Sequence, residues 1–158
     1  MEKQELLVLP MRQKTPYNWS AGIYGSKFFA ELGENAKIYA NKCTKCGFCC
    51  IYPRVVCPRC SIRMPYWPDW VEVGPGGTVR LFNIVEQPFF NPNTGENLKV
   101  PMTTGLIELD GAPVVLTHYL EETDQERLRL DMRVEAIFKP KDERQARISD
   151  ILHFRTIE

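Results

Sequence analysis

Histidine is scarce in this 158-residue chain; His118 and His153 are the only two. Neither forms a Cys–His or Ser–His–Asp spacing that could make a nucleophile and its base. Each reads as a surface or core residue of a strand. Long apolar runs are missing too. No stretch approaches the roughly 20 apolar residues of a membrane span. Leu6 to Leu9 is an apolar run of four residues behind the acidic Glu2 and Glu5, too short for a secretory core. A cytoplasmic location is therefore expected. Charge of one sign is not in excess: twenty Lys and Arg balance twenty Asp and Glu. Net charge thus favours no class of partner. Internal repeats and low-complexity tracts are absent. Two local absences say more. No cysteine lies outside Cys43–Cys60, and no Asp or Glu lies between Lys37 and Arg63.

The cysteine window reads CTKCGFCCIYPRVVCPRC. Cys43 and Cys46 form one Cys-x-x-Cys pair, and Cys57 and Cys60 form a second. Each pair makes a tight knuckle whose thiolates point to a common centre, and two facing knuckles give a tetrahedral four-sulfur site suited to structural Zn²⁺. Gly47 follows the first pair, where such a turn needs positive φ. Pro58 presets φ inside the second. Three disulfides are the alternative, but without an export signal and with all the thiols so close together, metal is the expected use. An iron–sulfur cluster is a rival, because Cys43, Cys46 and Cys49 are evenly spaced before Cys57-Pro58. That rival leaves a seven-residue gap before Cys57 and no role for Cys60. One zinc per chain is expected, with Cys49 and Cys50 as free thiols that behave as small buried hydrophobes. A closed four-thiolate site has no open position to activate water, so it predicts no catalysis by this chain alone.

The six basic residues of Lys37–Arg63 are Lys37, Lys42, Lys45, Arg54, Arg59 and Arg63. Zinc with four thiolates carries about −2, so the segment stays near +4, while the rest of the chain is acidic. Such a pole suits an anion, although it also serves simply to solvate a small ribbon.

Residues 1–20 read as an arm with apolar spots (Leu6, Leu7, Leu9, Met11, Tyr17, Trp19) that packs on a partner or on its own domain. Ser20 as N-cap, then Ile23, Tyr24, Phe28, Phe29 and Leu32 at helical spacing, predict a helix from Ala21 to Leu32, with Gly33 as its stop. Lys37–Lys42 reads as a strand delivering the first knuckle, and Ser61–Trp70 as a stiff linker. Downstream the period becomes two. Strands are expected at Thr78–Glu86, in the hairpin Met102–Leu120 with Asp110-Gly111 at its turn, at Arg133–Lys139 and at Ile148–Thr156. A long loop rich in Asn, Pro and Gly lies between the first two. Five strands in so short a span describe an OB-fold barrel. The expected fold is mainly β with a short N-terminal helix: a rubredoxin-like zinc ribbon followed by a five-stranded OB-fold barrel. The expected units are 1–36 for arm and helix, 37–66 for the ribbon and 67–158 for the barrel.

An ordered set of short pieces resembles the zinc-ribbon/OB-fold acyl-CoA-associated family, long catalogued as domain of unknown function thirty-five. The pieces are Phe28-Phe29, Pro53-Arg54 before the second knuckle, Cys57 to Cys60, Trp70 to Val79, Asp131-Met132-Arg133-Val134 and Phe154-Arg155. They span about residues 25–156. Two departures stand out: Asp131 replaces a glycine, and Cys49 and Cys50 replace apolar or aromatic residues. The resemblance implies a non-catalytic accessory subunit of an acyl-CoA-processing complex, most closely of a thiolase in aromatic-acid degradation. In that setting the chain would help to bind the acyl-CoA and hold the complex together. Arg54, Arg59 and Arg63 are then the candidates for CoA phosphates.

A zinc ribbon with an OB barrel also builds some nucleic-acid binders. The strands speak against it: Thr78–Glu86 carries only Arg80, and Met102–Leu120 carries no Lys or Arg. A phosphate backbone asks for a positive groove.

Overall fold

The computed structural model describes residues 18–91 and 95–157. The expected arm lies outside these except for its last three residues. Among the described residues one α-helix, α1 (Gly22–Asn35), precedes ten strands, with two short 3-10 turns at Lys141–Glu143 and Ile148–Asp150. Three of them, β1 (Ile38–Lys42), β2 (Cys49–Cys50) and β3 (Val71–Val73), form a small antiparallel sheet with β1 in the middle.

Helix α1 runs to Asn35, three residues past its expected end at Leu32. Gly33 is not its cap. A Cβ there would come within 2.9 Å of the Ala146 Cα, so glycine is needed for close packing on the 145–147 turn. Termination falls instead to Ala36, which takes a left-handed φ of 53°. Tyr24, Phe28 and Leu32 lie on the buried face, at the spacing read from the sequence. Ser20 sits one residue before the cap position, where its Oγ accepts the Gly22 N–H at 3.2 Å.

The barrel is closed by β4 (Gly76–Val85), β7 (Met102–Leu109), β8 (Val114–Leu120), β9 (Arg133–Phe138) and β10 (Ile151–Thr156), in the order β10-β8-β7-β4-β9. Strand β4 pairs with both β7 and β9, which requires a bend. A bulge between Val79 and Leu81 supplies it. At the bulge Val79 donates to the Met132 carbonyl and accepts from the Asp131 N–H. Asp131 holds φ +62°, the conformation a glycine would take, so the Asp-for-Gly departure leaves the left-handed turn intact. Strands β8 and β10 meet in parallel at Leu120 and Phe154, the remaining contacts of the barrel being antiparallel. Five strands closed this way are an OB-fold.

Two segments have more structure than their sequences suggested. The long loop after β4 folds back as a small hairpin of β5 (Phe90–Asn91) and β6 (Glu96–Asn97). Residues 61–70 are a tie rather than a spacer. Met64 N–H bonds the Val55 carbonyl, Trp70 Nε1 donates to the Pro65 carbonyl, and Tyr24, Tyr39, Tyr66, Trp67 and Trp70 stack edge to face. The aromatic knot leads straight into β3.

The core has two parts. The larger runs without a break from Tyr24, Phe28 and Leu32 of the helix through Ile38 and Val73 into Val79, Ile107, Leu116, Val134 and Phe154 of the barrel. The smaller is Cys43, Cys50, Cys57 and Met64. Among the described residues no helix is long and apolar enough to cross a membrane.

Candidate metal centre

The two knuckles have the same backbone geometry. In the first, Cys43 N–H donates to the Phe48 carbonyl at 2.9 Å and Gly47 N–H to the Cys43 carbonyl at 3.0 Å. In the second, Cys57 N–H donates to the Ile62 carbonyl at 2.9 Å and Ser61 N–H to the Cys57 carbonyl at 3.0 Å. Gly47 has φ +71°, as its position required. Ser61 occupies the matching place at φ +56°, at a cost of about 1–2 kcal/mol that glycine avoids.

This geometry brings Cys43, Cys46, Cys57 and Cys60 together, with all four Sγ atoms within 4.8 Å of one another. The short edges are 3.5 Å for Cys43–Cys60, 3.6 Å for Cys46–Cys57 and 3.7 Å for Cys46–Cys60. Four thiolates around zinc at ~2.3 Å stand about 3.8 Å apart. The sulfur cage therefore fits a tetrahedral metal ion of that size. The electrostatics agree. Backbone N–H groups of Cys46 and Lys45 point at Cys43 and bring its thiol down to about 6. Cys60 moves the other way, to about 12, through burial and the neighbouring sulfur of Cys43. Cys57 is lowered like Cys43 and Cys46 is raised like Cys60, so the cage opposes four thiolates together unless a cation sits among them.

Cys49 and Cys50 are outside the cage. Both belong to β2, paired with Lys42 and Asn41, and they face opposite ways. Cys49 joins the large core and Cys50 the small one. Burial pushes the Cys50 thiol up. They fill space on either side of a two-residue strand, as small hydrophobes do.

The three arginines named from the sequence are all exposed, each on a different part of the ribbon. Arg59 lies over the Phe48 ring at 4.3 Å, a cation–π contact that ties the second knuckle to the first. Arg63 follows the second knuckle and bridges Val56. Arg54 sits on the loop after β2 and is the one charged residue lining a 270 Å³ cavity with Phe48, Cys49, Cys50, Ile51 and the 113–115 turn. Lys37 is removed from the basic set by a 2.7 Å ion pair with Glu72. Lys42, Lys45, Arg54, Arg59 and Arg63 have no ion pair among the described residues.

Asn41 was not singled out in the sequence. It is fully buried, donates through Nδ2 to the Arg54 carbonyl at 2.7 Å, and accepts the Arg54 N–H at 3.2 Å. A polar residue in the apolar strand IYANK was the available signal, since a buried amide must find partners. His118 is buried in the barrel beside Phe154, and burial holds its imidazole below the usual range. His153 is half-buried, 3.5 Å from Glu121. Neither adjoins the sulfur cage in sequence or sheet.

Comparisons with known proteins bear on the barrel first. Residues 70–139 match the family model described as the ChsH2 C-terminal OB-fold domain. Among solved structures, the chain resembles one described as "Ltp2-ChsH2(DUF35) aldolase", with TM-score 0.57 and 20% identity over 90% of this chain and 98% of that one. It also resembles a protein of unknown function from the DUF35 family of Sulfolobus solfataricus, with TM-score 0.56 and 21% identity over 85% and 84% of the two chains. No curated protein sequence matches significantly. The ordered motifs, the barrel match and the shared fold agree: residues 70–139 match a ChsH2-type OB-fold domain, and the chain as a whole shares the fold of these DUF35 structures.

Proposed function

We propose that this chain is a non-catalytic, zinc-binding accessory subunit of an acyl-CoA-processing complex, and that its partner is a thiolase-type enzyme. The carrying observation is the pairing of a closed sulfur cage with a fold that extends over nearly all of the ChsH2 chain. That relative is described together with Ltp2 as an aldolase, and an acyl-CoA thiolase and an aldolase both make or break a carbon–carbon bond next to a carbonyl. Cys43, Cys46, Cys57 and Cys60 would hold the metal, which supplies a closed cross-link between the two knuckles and no open coordination position. Arg59 on Phe48, with Arg54 and Arg63 on the same ribbon, offers guanidinium groups to the phosphates of CoA. Degradation of an aromatic acid is the pathway that the resemblance favours.

The outer face of the barrel supports this reading over nucleic-acid binding. Leu81, Leu106 and Tyr119 are exposed there, and Arg80 is committed to Glu108 and Asp131. A face tracking phosphates needs free bases.

The test is purification of the tagged chain from its native source, followed by identification of what accompanies it and by metal analysis. A thiolase-fold enzyme in fixed ratio and one zinc per chain are expected. Salt-sensitive capture of single-stranded nucleic acid with no enzyme would overturn the proposal, and a brown protein would overturn the metal.

A further inference from the structure

We propose that the loop 51–56, together with the first turn of α1, is the surface on which the partner protein docks, and that this partner presents an apolar segment edged by carboxylates. The inference rests on the accessory role above and says where the two chains meet. Loops usually show polar side chains to water, and this one shows Tyr52, Val55 and Val56 beside Ile23 of the helix, each between 40% and 60% exposed. Ile23, Tyr52 and Val55, with Phe29, border a groove of about 490 Å³ in which Arg54 is the sole charged lining residue, and Val56 continues the apolar surface beyond it. Arg54 is also the sole charge lining the neighbouring 270 Å³ cavity, whose other wall is the start of β8 at Val114 and Val115. The two hollows thus share Arg54 as their one charged lining residue.

The loop is held rigid from beneath. Asn41 clamps the Arg54 backbone from both sides, Met64 N–H bonds the Val55 carbonyl at 2.8 Å, and Tyr24 Oη donates to the Met64 carbonyl at 2.8 Å. The Tyr52 ring stands edge-on to Phe28 at 5.2 Å. Apolar groups on a backbone already ordered lose little entropy on binding, which favours a docking role over a solvent-facing one. Charge then selects the partner. Arg63 bridges Val56 of the loop, Arg59 caps Phe48 from the knuckle that follows it, and no acid lies anywhere from Lys37 to Arg63. Even after the −2 of a zinc tetrathiolate, Lys42, Lys45, Arg54, Arg59 and Arg63, which have no ion pair among the described residues, leave this pole near +3. An acidic rim around an apolar anchor is complementary to it. A nucleic acid would satisfy the charge but would leave the apolar grooves without an occupant.

The experiment compares wild type with Val55→Asp, Val56→Asp and, on the barrel face, Leu81→Asp, each tagged and purified from the native source. Zinc content and thermal unfolding report whether each variant is folded. Recovery of the thiolase-type enzyme should fall about tenfold or more for Val55→Asp and Val56→Asp and hold within about twofold for Leu81→Asp. Hydrogen exchange on the wild-type complex should show amides 51–56 and 21–25 slowed, and this measurement decides the matter should either loop variant fail to fold. An enzyme that binds both loop variants as it binds wild type, or protection confined to the barrel face, overturns this inference and leaves the accessory role standing. Wild type that brings down nucleic acid and no enzyme overturns both.

Discussion

The barrel and the ribbon lie side by side in one chain and bury their interiors in different ways. In the barrel, alternate residues of β7 and β8 (Thr103, Gly105, Ile107 and Leu109, then Val114, Leu116, His118 and Leu120) turn inward, and their burial alternates strictly along both strands. The interior of the ribbon is Cys43, Cys50, Cys57 and Met64, with Phe48, Cys60 and Ile62 partly covering it. Three of those four are thiols, and two of the three belong to the sulfur cage. Remove the charge compensation and little apolar area is left to hold the knuckles. The barrel is stabilised by area; the ribbon has little, so a metal held by its four sulfurs would be what keeps it together.

The sharpest way to break that comparison is to remove the metal. Cys57→Ser, or a strong chelator on wild type, should abolish zinc binding and strip amide protection from residues 43–64. Structural zinc sites contribute on the order of 10 kcal/mol. Residues 102–120 should keep theirs, as native-state hydrogen exchange would show; loss of both regions together would mean one cooperative unit. The converse experiment is Phe154→Ala, which removes a fully buried ring from the barrel. It should cost about 3–5 kcal/mol in denaturant unfolding while zinc stoichiometry stays at one. Asn41→Leu probes the seam between the two regions. It strands the N–H and carbonyl of Arg54, and a loss of about 1–3 kcal/mol should follow, read by thermal melting. The smallest effect is expected from acid. The Glu31 carboxyl sits below its usual 4.5 because Lys27 bonds it at 2.5 Å, with Asn35 helping. A depressed folded pKa gives stability that is present above the unfolded value of about 4.5 and lost as pH falls through the folded one. Glu31→Gln should flatten that acid limb, with an effect of no more than about 1 kcal/mol at neutral pH.

Cys49 and Cys50 sharpen the comparison from inside the window. Replacing either with Ala should leave zinc content unchanged, since neither sulfur joins the cage.

The helix, the hairpin Met102–Leu120 and the knuckles were legible because each follows from spacing within a few residues. Cys-x-x-Cys makes its own turn, and alternation along β7 and β8 declares the inward face. The stop at Gly33 was misread for a physical reason: glycine serves both left-handed caps and close approach, and only the neighbour at Ala146 distinguishes them. The segment 61–70 looked like a linker because its prolines and tryptophans have no period. Its function is tertiary, a stack of rings between helix and sheet. The role of Asn41 went unread for the same reason, as its partners Arg54 and Pro65 lie thirteen and twenty-four residues away.

By itself the sequence determined the chemistry: four thiolates in two knuckles, a basic stretch free of acids, and five alternating strands with no base on the central hairpin. Those are properties of residue type and short spacing, which no packing can change. Tertiary structure decided the rest. It brought the four expected sulfurs onto one centre and settled where the other two go, since β2 turns Cys49 and Cys50 into two different cores. It also committed Lys37 and Arg80 to ion pairs and raised the 51–56 loop onto a buried amide. Convergence of this kind depends on contacts between residues far apart in the chain, and a linear pattern carries no record of them.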